Sequence, residues 1–306
     1  MAVTIASLLK NNARHRLRLI AVLNERDADA ERKIRRTVEL FGNAEIEFKS
    51  FSSQSFAHFR VDRHITVASY LRLFMTQFLD PNMEKVLYLD SDLIIRDDIG
   101  DLWNTDVSHH FLAAVLDPYS DNHVNLGFQK EEKCFNAGVL LVNLAKWREA
   151  DVVPTFVRYV EENSSILRYH DQCTLNAVFR GQVLFLPYRW NFSARNADLP
   201  ASALGMTKDE FCALRAQPSI VHYTTNVKPW LYVLEPHYKR LYYEYLALTP
   251  WRDFTPAGRT PWTILERFLR MERLKQIFRW HMPALFRAIC RYTGFGDPVL
   301  RQLASQ

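Results

Sequence analysis

The segment 85-KVLYLDSDLII-95 carries the pattern on which the fold prediction depends. Its apolar run 86–89 ends abruptly in Asp90-Ser91-Asp92, which predicts a central strand, buried on both faces, with carboxylates at its carboxyl end. Residues i and i+2 at a strand end point to the same side, so the two carboxylates can converge on one point. Ligands of open α/β sheets bind at the carboxyl ends of strands. The motif therefore indicates a divalent-cation site, because a cation relieves repulsion between the carboxylates.

Other interpretations of these residues remain open from spacing alone. A bare Asp-x-Asp is common, and a solvated acidic loop is the alternative for Asp90 and Asp92. His222 ends another short apolar run, where a hydrogen-bonded structural histidine is the more frequent case. Lys228 lies in Lys-Pro-Trp and is a candidate for contacting phosphate, or else a surface lysine beside a packed tryptophan.

Apolar runs alternate with helical patterns on both sides of this segment. The predicted strands are 17–23, 45–51, 86–89, 111–116, 137–142, 182–186 and 219–222, and the predicted helices are 27–40, 65–78 and 171–179. This alternation predicts an α/β fold with a mostly parallel central sheet.

Composition excludes several classes of protein. Of the 306 residues, 48% are hydrophobic and 24% are charged, which is typical of globular proteins and not of disordered ones. The four cysteines are far apart and lack metal-ligand spacing, so a disulfide framework or zinc site is not expected, and a reducing cytosol fits best. The N-terminus lacks the pattern of a signal peptide, and no window has the length of a membrane span.

The C-terminal region differs from the rest in charge. The net charge is +5, and residues 263–306 contain eight Lys/Arg and three Asp/Glu, which accounts for the whole excess. We expect a catalytic domain over 1–255 and a basic helical tail over 256–306. The tail predicts contact with an anionic membrane surface, with Arg287 and Arg291 on one face. A pair of helices packed on the catalytic domain is the alternative, and no nucleic-acid-binding motif is present.

Five segments together resemble glycosyltransferase family 8, and within it the bacterial lipopolysaccharide galactosyl- and glucosyltransferases. They occur in the order and approximate spacing of that family, and the resemblance covers about 2–230. The segments are KVLYLDSDLIIRDDIGDLW (85–103), CFNAGVLLVNLAKWR (134–148), DQCTLN (171–176), LPYRWNF (186–192) and HYTTNVKPW (222–230). The resemblance implies a GT-A fold and a metal-dependent transferase that retains the anomeric configuration of a hexose taken from a UDP-sugar.

The resemblance also implies roles for individual residues. Asp90, Asp92 and His222 would ligate Mn²⁺ (or Mg²⁺), which would bridge the two phosphates of the donor, and Lys228 would add positive charge there. The other residues implied to bind the donor are Arg72, Ser91, Asn136, Ala137 and Asp171. Asn136, Asp117 and Asp171 would hold hydroxyls of the transferred sugar.

Two residues would be catalytic by the same resemblance. Gln172 would lie close to the anomeric carbon, with Asp171 beside it. An amide is a weak nucleophile, so we favour a role in which Gln172 shields an oxocarbenium-like centre. The acceptor would be a lipid-linked saccharide at the inner face of the cytoplasmic membrane, where the chain would be peripheral.

The sequence departs from the family pattern in three places. A first strand with an acidic loop for uracil and ribose is not found, and we expect it to be encoded upstream of Met1. Cys173 stands where the family usually has Asp, and Thr225 stands where its phosphate loop usually has Gly. A β-branched residue does not readily adopt φ > 0 or let the backbone approach a phosphate closely.

These departures support a second hypothesis, a non-catalytic remnant that binds sugar or lipid without turnover. The retained metal triad and Lys228 argue against it, because a simple binding protein needs no metal. A third hypothesis is a different Asp-x-Asp enzyme, such as a sugar nucleotidyltransferase. The lack of a Gly-rich N-terminal phosphate loop argues against that one. The sequence does not determine donor sugar, acceptor, linkage or oligomeric state.

Overall fold

The structure is a computed structural model that describes residues 1–23, 25–50, 70–119, 126–129, 131–224, 226–232, 234, 236–256 and 258–264. It divides into two compact units. The first comprises 1–226 and 236–254, and the second comprises 227–235 and 255–306. The domain boundary predicted between 255 and 256 stays a prediction. Residue 225 and the tail from 265 onward, with Arg287 and Arg291, lie outside the described residues.

The first unit contains helices and strands in an α/β arrangement. The strands are β1 Leu17–Leu23, β2 Ala44–Ser50, β3 Lys85–Leu89, β4 Leu93–Ile95, β5 Leu112–Leu116, β6 Phe135–Asn143, β7 Val183–Leu186, β8 Phe192–Ser193 and β9 Ile220–His222. The α-helices are α1 Ala2–Asn11, α2 Ala28–Phe41, α3 Met75–Phe78, α4 Gly100–Trp103, α5 Leu144–Glu149, α6 Val152–Asn163, α7 His170–Val178, α8 Lys208–Ala216 and α9 Lys239–Leu246. Short 3-10 helices cover Leu71–Phe74, Tyr188–Asn191, Ala194–Asp198 and Ala201–Leu204.

Three sheets form within the described residues. One has the order β3-β6-β5-β7, another has β4-β9-β8, and β1 pairs with β2 alone. The β1–β2, β5–β7 and β8–β9 pairs are parallel, whereas β6 is antiparallel to both β3 and β5, and β4 is antiparallel to β9. The α/β class is as predicted, and β3, β5 and β7 of the four-stranded sheet run in the same direction, as expected of a mostly parallel sheet. Strand β6 lies between β3 and β5 and runs opposite to each of them.

The environment of β3 matches the prediction in part. Alternate side chains pack on hydrophobic clusters on its two faces, but all five residues stay partly exposed, because among the described residues β3 pairs with β6 only. Strand β1 likewise pairs on one edge. Side chains of β1 and β3 pack on the same two hydrophobic clusters, Ile20, Val22, Val86 and Tyr88 on one and Leu17, Leu19, Leu87 and Leu89 on the other. The predicted strand upstream of Met1 stays a prediction.

The helix predicted over 65–78 is not continuous where it is described. A 3-10 turn at Leu71–Phe74 precedes the single α-helical turn Met75–Phe78, and residues 65–69 lie outside the described residues. The other predicted strands and helices are present with boundaries shifted by one or two residues. Within the described ranges, none of the helices combines the length and hydrophobicity that crossing a bilayer requires.

Strand β6 forms the centre of the core and has an irregularity that matters for the site. The pairing of β6 with β5 jumps between Ala114, which faces Leu140, and Val115, which faces Asn136. Residues 137–139 therefore bulge out of that ladder. Val139 pairs instead with Leu89 at the end of β3. The bulge directs the backbone of 137–138 toward the segment that carries the carboxylates.

Helix α1 holds that segment through buried polar side chains. The Thr4 hydroxyl donates to the carbonyl oxygen of Ser91 (2.8 Å), and the Ser7 hydroxyl accepts from the backbone N–H of Ile95 (3.0 Å). Asn12 Oδ1 accepts from the N–H of Ile99 (2.8 Å). These bonds satisfy backbone groups of β4 and its flanking turns on the side away from β9. Helix α1 thus fixes both ends of the segment that follows β3.

The second unit contains Lys228. Its ammonium lies 5.8 Å from the ring centroid of Trp230, and its carbonyl oxygen accepts from the N–H of Leu231 (3.2 Å). Its predicted contact with phosphate stays a prediction.

Replacing Ser7 with alanine is expected to destabilise the protein by about 1–3 kcal/mol, because the buried N–H of Ile95 would lose its partner. The free energy of unfolding from urea titration measures this. Ser202→Ala is the matched control, because Ser202 is exposed in a surface 3-10 helix, and we expect a change within about 0.5 kcal/mol. Equal stability of Ser7→Ala and the unchanged chain would contradict the role given to α1.

Candidate active site and metal centre

Asp90 and Asp92 lie in the short turn between β3 and β4, and backbone hydrogen bonds fix both of them. The N–H of Asp90 donates to the carbonyl oxygen of Gly138 (2.9 Å), and the N–H of Tyr223 donates to that of Asp92 (3.1 Å). One residue is therefore tied to β6 and the other to the residue following β9. The turn keeps both carboxylates on the side where β9 ends.

His222, the last residue of β9, is buried and faces both carboxylates. Its Nε2 lies 3.3 Å from Oδ1 of Asp92 and 3.6 Å from Oδ2 of Asp90. One ligand atom from each of the three residues lies within 4.8 Å of the others. Two carboxylate oxygens and one imidazole nitrogen form a donor set suited to a divalent cation of intermediate hardness. The three residues predicted as metal ligands are thus brought together.

One ring nitrogen of His222 is hydrogen-bonded to another side chain of the protein. Its Nδ1 lies 2.9 Å from Oδ1 of Asn191, so that nitrogen is hydrogen-bonded away from the carboxylates. Metal-bound histidines usually have their second nitrogen hydrogen-bonded in this way. The residues present therefore fit a metal ion, with Nε2 as the available ligand atom.

Gly138 allows this cluster to form. A Cβ atom at residue 138 would lie 2.1 Å from Cε1 of His222, 2.6 Å from its Nδ1, and 3.0 Å from Oδ2 of Asp90. The two distances to the buried His222 ring are far below van der Waals contact, and the distance to Asp90 is a tight contact. The backbone of β6 can pass between His222 and Asp90 only because residue 138 has no side chain.

Arg72 connects the metal cluster to Asp171. Its Nη2 lies 3.0 Å from Oδ1 of Asp90, and its Nε lies 2.7 Å from Oδ2 of Asp171. Burial raises the pKa of Asp171 to about 6, and the guanidinium opposes this increase. Burial disfavours the charged guanidinium too, but the carboxylates of Asp171 and Asp90 outweigh it and raise the pKa of Arg72. Arg72 therefore stays charged.

Tyr88 supports the same network from β3. Its hydroxyl donates to Oδ1 of Asp90 (2.7 Å), and the Arg72 guanidinium lies 4.4 Å from the centroid of its ring. Burial raises the pKa of Tyr88 well above its ordinary value, so the phenol keeps its proton and remains a donor. Arg72 and Tyr88 both bind Oδ1 of Asp90, so Oδ2 of Asp90 remains oriented toward His222.

Gln172 is held at both ends of its amide. The N–H of Ala137 donates to its Oε1 (3.0 Å), and its Nε2 donates to Oδ2 of Asp117 (3.1 Å). The other oxygen of Asp117 accepts from the N–H of Tyr119 (3.1 Å). These bonds fix the Gln172 side chain beside the β6 bulge.

Helix α7, which carries Asp171 and Gln172, begins with an unusual backbone. His170 has φ 42°, in the left-handed region that non-glycine residues rarely adopt. Cys173, which replaces the expected Asp, is buried, and its Sγ accepts from the N–H of Tyr169 (3.2 Å). The cysteine thus supports the start of the helix instead of supplying a carboxylate.

The structure connects most of the predicted site residues through direct contacts or, for Asn136, through the shared hydrogen-bond partner Asn191. The connected set is Arg72, Asp90, Asp92, Asp117, Asn136, Ala137, Asp171, Gln172 and His222. Ser91 lies in the same turn, where its carbonyl oxygen is bound by Thr4, and Lys228 lies in the other unit. The sequence analysis gave no role to Tyr88, Gly138 or Asn191. All three lie within the segments that carry the family resemblance, which was the one signal that could have found them.

Comparison with known proteins assigns the chain to a family. A family model described as glycosyl transferase family 8 matches residues 1–233. The chain belongs to that family. This confirms the predicted family and the predicted enzyme class, a hexosyltransferase.

Individual relatives of this family 8 chain are distant. General stress protein A of Bacillus subtilis (strain 168) is 27% identical over 253 residues, covering 80% of this chain and 87% of the relative. Lipopolysaccharide 1,2-glucosyltransferase of Escherichia coli (strain K12) is 29% identical over 196 residues, covering 62% of this chain. This chain spans 56% of the length of that enzyme.

Solved structures confirm the GT-A fold of the family 8 chain. The galactosyltransferase LgtC, in complex with donor and acceptor sugar analogues, has a TM-score of 0.71 and 27% identity. The match covers 81% of this chain and 91% of LgtC. The glycosyltransferase GlyE of Streptococcus pneumoniae TIGR4 shares the fold with a TM-score of 0.60 and 23% identity, covering 89% of this chain and 60% of GlyE.

Gly138→Ala is expected to weaken Mn²⁺ binding at least about 100-fold, because the added methyl group must displace His222 or Asp90. Overpacking at this site should also lower the stability by about 1–3 kcal/mol. Calorimetric titration with Mn²⁺ measures the first effect, and urea unfolding measures the second.

The control for Gly138→Ala is the double variant with His222→Ala, which removes the ring that the methyl group meets. We expect the double variant to recover stability relative to the sum of the single changes, without recovering Mn²⁺ binding. Strict additivity of the two stability changes would show that residue 138 and His222 do not compete for space.

Proposed function

We propose that this chain transfers a hexose, galactose or glucose, from a UDP-sugar to a saccharide acceptor, with Mn²⁺ or Mg²⁺ bound by Asp90, Asp92 and His222. The proposal includes retention of the anomeric configuration. The observation that carries it is the convergence of Asp90, Asp92 and the Nε2 atom of His222 beside the clamped amide of Gln172. The family assignment supplies the reaction class.

The charges of the cluster support metal-assisted binding of a diphosphate. The carboxylates of Asp90, Asp92 and Asp171 are balanced in part by the guanidinium of Arg72, which binds Asp90 and Asp171. A divalent cation would offset the remaining negative charge and permit an anionic donor to approach. When bound, the metal would stabilise negative charge on the departing nucleoside diphosphate.

Arg72 acts on the donor through the carboxylates in this proposal. It is buried, binds Asp90 and Asp171 at once, and stacks on Tyr88. Both carboxylates are therefore held in fixed positions before the donor binds. Pre-organised groups cost less free energy to align when the transition state forms. Asp171 would then orient a hydroxyl of the transferred sugar with its remaining acceptor capacity.

Gln172 and Asn136 would line the sugar-binding side. The Gln172 amide is fixed by Ala137 and Asp117, and an amide oxygen that already accepts a hydrogen bond is a poor nucleophile. We therefore assign Gln172 a shielding role at the anomeric carbon. Asn136 uses its Oδ1 within the protein. Its Nδ2 group has no partner among the described residues and would donate to a sugar hydroxyl.

The acceptor in this proposal is a lipopolysaccharide-type saccharide. The E. coli relative is named a lipopolysaccharide 1,2-glucosyltransferase, and LgtC is a galactosyltransferase solved with an acceptor analogue. The remnant hypothesis is disfavoured, because a protein without a metal-assisted reaction would not need Gly138 to bring His222 against Asp90. Cys173 has a structural contact of its own, so its replacement of Asp does not by itself indicate loss of activity.

Metal-dependent UDP binding tests the proposal. Calorimetric titration of the full chain with UDP is expected to show binding that is at least about 100-fold tighter with Mn²⁺ present. Asp90→Asn and Asp92→Asn keep the side-chain size but remove ligand charge. Each is expected to weaken metal-dependent binding at least about tenfold.

The matched control for these variants is Asp101→Asn, a carboxylate in the first turn of α4 outside the metal cluster. It should bind UDP and Mn²⁺ like the unchanged chain. If the folded, unchanged chain binds no UDP with or without Mn²⁺, the transferase proposal fails and the remnant hypothesis is supported.

We also propose that the basic tail holds the enzyme on anionic lipids at the inner face of the cytoplasmic membrane. The support is the charge excess of residues 263–306. In a liposome sedimentation assay, the full chain should bind vesicles that contain anionic lipid and lose that binding at high salt. A chain shortened after Pro261 should bind at least about tenfold less. Undiminished binding of the shortened chain would refute an anchoring role for the tail.

A further inference from the structure

Asn191 ends a 3-10 helix immediately before β8 and lies between two residues of the site. It is buried, its Oδ1 lies 2.9 Å from Nδ1 of His222, and its Nδ2 donates to Oδ1 of Asn136 (2.9 Å). The same Oδ1 of Asn136 accepts from the backbone N–H of Gly138 (3.0 Å). One continuous chain of hydrogen bonds therefore leads from the backbone of β6 to the imidazole of the metal cluster.

The donor and the acceptor of each of these hydrogen bonds follow from the first bond, which the backbone N–H of Gly138 donates. A backbone N–H is always a donor, so the Asn136 atom that faces Gly138 must be the oxygen. That oxygen also faces Asn191, so the nearer Asn191 atom must be the NH₂ group. The other Asn191 atom is then the carbonyl oxygen, which can only accept. The hydrogen of the neutral His222 ring must therefore be on Nδ1.

We propose that Asn191 is a positioning residue that keeps His222 in the Nδ1-protonated tautomer, with the lone pair of Nε2 facing Asp90 and Asp92. The inference rests on the proposed metal-dependent function, which it deepens. In the opposite tautomer, Nε2–H would point at carboxylates 3.3 and 3.6 Å away and occupy the place of the metal. Selecting the tautomer before the metal arrives removes that competition.

Metal affinity in the absence of nucleotide is the first test. Asn191→Leu removes the acceptor and is expected to weaken Mn²⁺ binding about 10- to 100-fold in calorimetric titration of the full chain. Asn191→Asp keeps an acceptor for Nδ1–H and should stay within about threefold of the unchanged chain. Asn196→Leu is the matched control, because it removes another buried amide from the same region, and it should change the affinity by less than about twofold.

The tautomer itself is the second test. Long-range ¹H–¹⁵N NMR spectra of the metal-free, ¹⁵N-histidine-labelled chain distinguish the two neutral forms, and His222→Gln identifies the signal of His222. We expect hydrogen on Nδ1 in the unchanged chain and a mixture or reversal in Asn191→Leu. Hydrogen on Nε2 with none on Nδ1 in the unchanged chain overturns the proposal, whether or not Asn191→Leu folds.

The two tests separate the possible failures. If the unchanged chain binds no Mn²⁺, the proposed function fails, and the NMR spectra still decide the inference about Asn191. If the unchanged chain binds Mn²⁺ and folded Asn191→Leu binds it equally well, the proposed function survives and the positioning role is wrong.

Discussion

The close approach of three strands at Gly138 is the constraint on which the site depends. Strand β6 leaves its regular pairing with β5 there and passes between the end of β3 and the end of β9. Only a residue without a side chain leaves room for His222 on one side and Asp90 on the other. The backbone of that residue also makes two hydrogen bonds of the site, since its carbonyl oxygen accepts from the N–H of Asp90 and its N–H donates to Oδ1 of Asn136. Steric and hydrogen-bonding requirements therefore meet at one position.

The sequence predicted which segments are strands and helices better than it predicted how they pair. Runs such as Leu17–Leu23 and Ala28–Phe41 are recognisable because their side-chain periodicity is local. Strand direction is not a local property, and nothing in the composition of Phe135–Asn143 indicates that it runs antiparallel to both neighbours. Strand β4 escaped prediction as well, because its three residues are stabilised by β9 and by side chains of α1, both distant in sequence.

The residues of the candidate site also differ in how far the sequence alone could predict them. Asp90 and Asp92 could be predicted because a carboxylate pair after an apolar strand is informative by itself. His222 and Arg72 needed the family resemblance, since each becomes significant only when a distant segment folds beside it. Gly138 and Asn191 received no role, because their contributions are a missing atom and a hydrogen-bond direction. Neither property is visible until the neighbouring backbone is placed.

The position of β9 between β4 and β8 has a consequence for how the protein folds. The metal cluster joins the turn after β3 to the end of β9, which are separated in sequence by more than half of the first unit. Contacts of such long sequence separation form late, because the entropy of closing the intervening chain must first be overcome. Strand β9 also needs β4 and β8 in place on either side. Metal binding would therefore indicate that the whole segment from β3 to β9 has reached its native arrangement, because an incompletely folded chain would not bind the ion.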